Sequence, residues 1–292
     1  PRRCYKGSRV RVERSIHGPF ERLAFAFDTP AGPSHHSLYR LGDTLIDAGG
    51  TVATAPLLEI LRERPPRRII CTHQHEDHVG NVAAIRRAFG ELPVYVPREH
   101  VAIVTTTDRV PEYRAIIWGH PEPTGPVEAY DPGHVFEASG VALAAWPTPG
   151  HTPHHIAFVA RVGPAIFALT GDLYTSRPLA AWYESAADDM AASLRRLARL
   201  GDALVVLPTH GRVKPDGARV LGDMADWLDR EAAAVREAAG RLGTADPRTV
   251  AAALYAAHGP DLADLMSAGE VSRSGFVRSV LAPVRALPAG VP

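Results

Sequence analysis

Residues 71–78 read Cys71-Thr72-His73-Gln74-His75-Glu76-Asp77-His78. They close a short apolar run, Arg68 to Thr72 (RIICT), whose length and branched residues predict a buried strand. They precede Val79 to Phe89, where helical spacing of apolar residues predicts a helix closed by Gly90. The polar segment therefore lies on a strand-to-helix connection. On extended backbone, side chains two apart share a side, so His73 and His75 point the same way. Asp77 and His78 follow where the chain turns into the helix. One short loop thus offers four donors of hard or borderline character to a pair of metal ions. With 14 His in 292 residues, a chance H-x-H-x-D-H would arise roughly twice in a thousand such chains. That frequency weighs against the bland alternative, a solvated polar turn.

Outward from this loop, strands and helices alternate. Leu38 to Ile46 (LYRLGDTLI) reads as two strands around a Gly-Asp turn, ending at Asp47-Ala-Gly-Gly. Residues 53–63 have helical periodicity, and Pro93 to Val96 reads as the next strand. This βαβ rhythm places a sheet under helices. Between Val135 and Leu173 four short strands follow, VFEA, VALAAWP, HIAFVA and AIFALTG, in a mostly antiparallel run. Ala187 to Leu200 is an amphipathic helix, and Ala203 to Leu207 is a last strand before Pro208-Thr209-His210-Gly211. Two strand-rich halves with outer helices suggest an αββα sandwich over 1–215. Residues 216–292 read as a helical appendage packed on it, with Ala-rich runs near 217–240 and 247–257. Gly243 and Pro247 interrupt those helices, and Pro283, Pro288 and Pro292 mark a loose tail.

Composition narrows the function. Lys plus Arg and Asp plus Glu both total 32, a formal net charge of zero. That gives no electrostatic case for nucleic acid or an anionic membrane. A basic N-terminal stretch, Arg2, Arg3, Lys6, Arg9, Arg11 and Arg14, reads as a solvated edge strand. No stretch approaches the roughly 18 apolar residues of a membrane span. Cys4 and Cys71 form neither a disulfide framework nor a metal spacing, so a reducing cytoplasm is expected. Cys71, on the strand before the loop, reads as core rather than as a nucleophile. A small-molecule substrate is expected, and a second copy of the chain is the expected protein partner.

Three later segments complete the pattern: Thr148-Pro149-Gly150-His151-Thr152, Leu169-Thr170-Gly171-Asp172 and Pro208-Thr209-His210-Gly211. Each sets a His or Asp just past a predicted strand. Singly each is weak. In this order, after the first motif, they resemble the metallo-β-lactamase superfamily across roughly residues 35–212. The likeness is to its binuclear hydrolases, such as hydroxyacylglutathione hydrolase, the acyl-homoserine lactonases and related nucleases. The resemblance implies a first metal on His73, His75 and His151, a second on Asp77, His78 and His210, and Asp172 bridging both. The Asp47-Ala-Gly-Gly turn resembles the family's early Asp-x-Gly turn, which supports the metal loop.

Two divalent ions would bring four positive charges, of which Asp77, Asp172 and one bridging hydroxide remove three. The remainder polarises a carbonyl and acidifies the water that attacks it. With no thiolate in the set, Zn, Fe and Mn are all admissible, and zinc is the expected metal. The implied activity is hydrolysis of a carboxylic ester-type bond, whether lactone, thioester or ester. True β-lactamases lack the bridging Asp, and RNA-cleaving members with an inserted domain are much longer. Leu173-Tyr174-Thr175-Ser176-Arg177-Pro178 does not match the glutathione loop of hydroxyacylglutathione hydrolases. Lactonases place a Tyr after the bridging Asp, and Tyr174 is the candidate here, one position early. Asp77 and Tyr174 are the expected catalytic residues. Trp182 and Tyr183 either line the pocket or pack, and His154 and His155 either support His151 or begin the next strand. The C-terminal helices resemble an appendage of endoribonuclease-like members, which keeps a phosphodiesterase as the alternative. A mononuclear-iron persulfide dioxygenase, using His73, His151 and Asp172, is the third reading.

Overall fold

The computed structural model describes residues 2–4, 10–30, 32–176 and 178–284. Lys6, Arg9, Pro288 and Pro292 lie outside them. The chain is mixed α/β, with two sheets and a run of C-terminal helices, as the sequence predicts. It divides into two compact units. The first takes the chain up to Ala145 together with Phe158–Val162 and Thr209–Gly211. The second takes Trp146–Ala157, Gly163–Pro208 and the chain from Arg212.

In the first unit an eight-stranded sheet follows chain order. Strands β1 (Arg2–Cys4), β2 (Arg11–His17), β3 (Phe20–Thr29), β4 (Gly32–Leu41) and β5 (Thr44–Ile46) pair antiparallel. Leu23, Phe25 and Phe27 alternate along β3 and are buried, the period-two face of a strand packed on a core. Strand β1 is the outer edge, and Arg14 of β2 is engaged by Glu21 and Glu63, each at 2.6 Å. The Gly42-Asp43 turn joins β4 to β5 as expected.

From β5 onward the pairing turns parallel, through β6 (Arg68–Ile70), β7 (Val94–Pro97) and β8 (Glu128–Tyr130). Parallel neighbours need a crossover, and helices supply it. They are α1 (Thr54–Glu63), α2 (Glu76–Val79) with α3 (Val82–Phe89), and α4 (Val101–Thr106) with α5 (Glu112–Trp118). Leu57, Ile60 and Leu61 of α1 and Val82 and Ile85 of α3 join Leu45, Ile69, Val94 and Val96 in one core. Each fully buried large side chain is worth about 1.5–3 kcal/mol. That packing, rather than propensity, holds α3, whose eight residues are too few to persist alone. The unit also carries the hairpin of β9 (Val135–Ala138) and β10 (Val141–Pro147), and most of β11 (Ile156–Val162).

In the second unit β12 (Ala165–Gly171) and β13 (Leu204–Pro208) run parallel, joined through α6 (Ala187–Ala198). Helix α7 (Gly217–Leu242) packs on α6 and buries Leu221, Ala225, Leu228, Ala232 and Val235. Then come α8 (Pro247–Leu254), α9 (Leu262–Met266) and α10 (Arg273–Leu281). Asp246 caps α8 by accepting from Thr249 N, and Pro247 opens its first turn. No described helix is long and apolar enough to cross a membrane.

Candidate metal centre

Strands β5 and β6 end level, with Ile46 opposite Ile70. Asp47 and the Cys71–His78 loop therefore leave the sheet side by side, at the carboxyl ends where open α/β sheets gather ligands. Asp47 has φ +63°, a left-handed conformation that few non-glycine residues adopt. Its Oδ1 accepts from Thr72 N at 2.8 Å, and its Oδ2 accepts from His78 Nδ1 at 2.8 Å. The Thr72 hydroxyl lies 3.0 Å from Asp47 Oδ2 and 3.0 Å from His73 Nδ1. Donating to the carboxylate leaves it to accept from that ring.

The helix expected from Val79 to Phe89 is two helices, because the chain breaks at Gly80-Asn81. The amide of Asn81 donates to the carbonyls of Ala48, Gly49 and Gly50 at 2.8–3.0 Å, and Thr54 donates to its Oδ1 at 2.5 Å. A Cβ on Gly80 would lie 2.3 Å from Glu76 O and 3.1 Å from Gly49 O. Only glycine lets the metal loop approach the Asp47 turn this closely. Glu76, between His75 and Asp77, is buried in a two-pronged pair with Arg114 of α5, one prong at 2.7 Å. Burial pushes its carboxyl above the ordinary value against the pull of Arg114. It serves the loop's conformation and not the ligand set.

Five of the seven candidate ligands are brought together within the first unit. His73 Nε2 lies 3.0 Å from His75 Nδ1. Asp77 Oδ2 lies 3.0 Å from His210 Nε2 and 3.7 Å from His78 Nε2. His210 donates through Nδ1 to the carbonyl of His35 at 2.8 Å. Its loop is tied down by Ser37 N to Thr209 O at 2.9 Å and by Arg22 to Gly211 O at 2.8 Å.

The other two come together in the second unit, where His151 Nε2 lies 3.4 Å from Asp172 Oδ2. His151 donates through Nδ1 to the carbonyl of Trp182 at 2.9 Å, and its own carbonyl accepts from Glu184 N. Gly150, at φ +146°, is pressed against α6, where a Cβ would meet Met190 Cβ at 2.4 Å. His155 supports the pair: its Nε2 accepts from Asp172 N at 3.3 Å and its Nδ1 meets the Thr148 hydroxyl at 2.8 Å. That imidazole is therefore a neutral tautomer protonated on Nδ1.

Two regularities fit these residues to metal ions. Ligands on a tetrahedral ion with bonds of about 2.0–2.1 Å stand roughly 3.3 Å apart. The donor pairs just described are 3.0–3.7 Å apart. In addition His73, His78, His151 and His210 are each held through Nδ1 by a hydroxyl, a carboxylate or a backbone carbonyl. Such anchoring fixes the tautomer and presents Nε2, as in metal-bound histidines generally.

The remaining sequence candidates fall as follows. Tyr174 lies in the second unit, two residues after Asp172, buried, with Lys214 Nζ 5.6 Å from its ring centre. Tyr183 packs on Phe276, and Trp182 contributes its carbonyl to His151. Cys71 is wholly buried, and burial pushes its thiol well up, which suits core rather than chemistry. Sequence reasoning missed His36, fully buried against Phe25, Phe27 and Trp118, where burial lowers its imidazole to about 3. It also missed Asn81, Arg22 and Arg114. The Gly80-Asn81 pair at the start of the predicted helix was the signal available for Asn81.

The family model described as the metallo-beta-lactamase superfamily matches residues 29–210, more than half of the chain. A hydroxyacylglutathione hydrolase from Yersinia enterocolitica is 30% identical over 168 residues, 57% of this chain and 56% of the relative. One from Edwardsiella ictaluri is 29% identical over 180 residues, 61% of this chain and 58% of the relative. The chain thus spans little more than half the length of these relatives. Among solved structures, a metallo-beta-lactamase family protein from Thermus thermophilus is similar in fold. Its TM-score is 0.58 at 17% identity, covering 93% of this chain and 91% of that one.

Proposed function

The chain belongs to the metallo-beta-lactamase superfamily, and from that membership we propose that it is a binuclear metal-dependent hydrolase of carboxylic ester-type bonds. Lactones, thioesters and simple esters fall within that class, and the substrate is a small molecule. His73, His75 and His151 would hold one ion and Asp77, His78 and His210 the other, with Asp172 as a further ligand. Zinc is the proposed metal and the cytoplasm the proposed compartment. The observation that carries this reading is the set of imidazoles held through Nδ1, with donor spacings that suit metal coordination.

When bound, the metal pair supplies a Lewis acid and a water acidified to near neutrality. The chain's own residues do the rest. Asp77 and Asp172 would balance the charge of the ions, and the Asp77 carboxylate would orient the water. Asp47, Thr72 and His155 hold the ligands in place. The Tyr174 hydroxyl donates to the substrate carbonyl oxygen as negative charge develops on it. The hydroxyacylglutathione hydrolases at 29–30% identity favour a thioester within the class.

Tyr174→Phe deletes one hydroxyl and keeps the ring, so it tests the carbonyl chemistry directly. Loss of such a donor lowers turnover about a hundredfold, with metal content intact, on whichever lactone, thioester or ester the chain cleaves best. Unchanged kinetics would remove Tyr174 from the mechanism. Faster cleavage of a phosphodiester than of any ester would replace the proposed reaction.

A further inference from the structure

The second unit holds a cleft of about 570 Å³ that begins at Tyr174. Two residues of chain span at most about 7 Å, so the cleft opens within a short acyl group's reach of Asp172. One wall carries Tyr174, Thr175, Ser176, Pro178 and Leu179. The facing wall is α7, which offers Val220, Met224 and Trp227. These stand at i, i+4 and i+7, a single stripe of the helix. Trp227 is itself backed by Phe276, ring centres 5.6 Å apart. The wall is therefore braced.

Among the described residues that line the cleft, Asp223 is the one with an acidic or basic side chain; Arg219 holds it at 2.8 Å, and Lys214 Nζ stands 5.6 Å from the Tyr174 ring at the cleft's start. A charged substrate group would lose its water against the apolar wall of α7. An uncharged chain loses nothing and gains burial.

We propose that this cleft receives an uncharged apolar acyl chain of the substrate and sets the enzyme's preference for chain length. The inference rests on the ester-hydrolase reading and adds a substrate class to it. The α7 stripe makes Val220 a specificity-determining residue.

The test pairs a binding measurement with a hydrolytic one. Octanamide, neutral and resistant to hydrolysis, is titrated against tryptophan fluorescence, with Trp227→Phe identifying the signal from the cleft. The ratio of kcat/KM for 4-nitrophenyl octanoate over 4-nitrophenyl acetate is measured alongside. Each buried methylene adds about threefold to fourfold, so the ratio should exceed tenfold in the native chain. Val220→Trp, which fills the cleft, should abolish octanamide binding and lower the ratio at least tenfold. Val220→Ala, a safer variant for folding, should weaken both by a few fold. Failure of octanamide to bind, or a ratio indifferent to Val220→Trp in a folded protein, overturns the inference and leaves the hydrolase reading intact. Saturable octanamide binding without hydrolysis of any ester would support the cleft and sink the hydrolase reading.

Discussion

Asp47 concentrates three tasks in one side chain: it turns the backbone at positive φ, caps Thr72 N and anchors His78. Asp47→Asn keeps the size and an oxygen for Thr72, but the charge facing His78 Nδ1 is lost. Loss of such a supporting partner typically costs 10- to 100-fold in metal affinity. Competition of the variant against a zinc chelator should show a loss of that size, and native affinity would exclude the role. His36 gives the pH counterpart. Its value in the folded chain, about 3, lies below the ordinary 6.5. Between those values the unfolded chain binds more protons. Stability is therefore full above about pH 6.5 and is lost as pH falls toward 3, by about 1.4 kcal/mol per pH unit. His36→Phe keeps a ring beside Phe25 and Trp118 and removes the titration. Between pH 7 and pH 5 its stability should gain on the native chain by roughly 2 kcal/mol in urea unfolding. A gap that does not move with pH would contradict the burial argument.

At the scale of elements, the parallel strands and their crossover helices set the metal loop. Ile85 on α3 is fully buried in the core under that loop. Ile85→Ala should cost about 2–5 kcal/mol by denaturant unfolding; a cost under about 1 kcal/mol would mean that the layer collapses to fill the gap. The strand before the loop, the turn after β5 and the hairpin of β9 and β10 were legible, since period-two patterns and turn residues are local signals. The break between α2 and α3 was not, because it depends on Asn81 reaching carbonyls some thirty residues back in sequence. His210 was legible as a candidate ligand from its motif. The anchoring by His35 O and the Arg22 bond to Gly211 O were not, because backbone acceptors leave no mark in a sequence. For His155 the two options merge: it immediately precedes β11 and its ring supports Asp172.

Across the whole molecule, the proposed ligand set is read from separate stretches of the chain, at His73, His75, Asp77 and His78, then His151, Asp172 and His210. The order of these candidate residues along the chain is what suggested the proposed set before any fold was known. The cleft at α7 was hidden, since its walls are far apart in sequence. The most direct measurement is the metal content of the purified chain by elemental analysis, beside Asp172→Ala. Close to two ions per native chain are predicted, with fewer in the variant and its fold retained. One tightly bound iron per chain, or a variant that keeps both ions, would contradict the binuclear site.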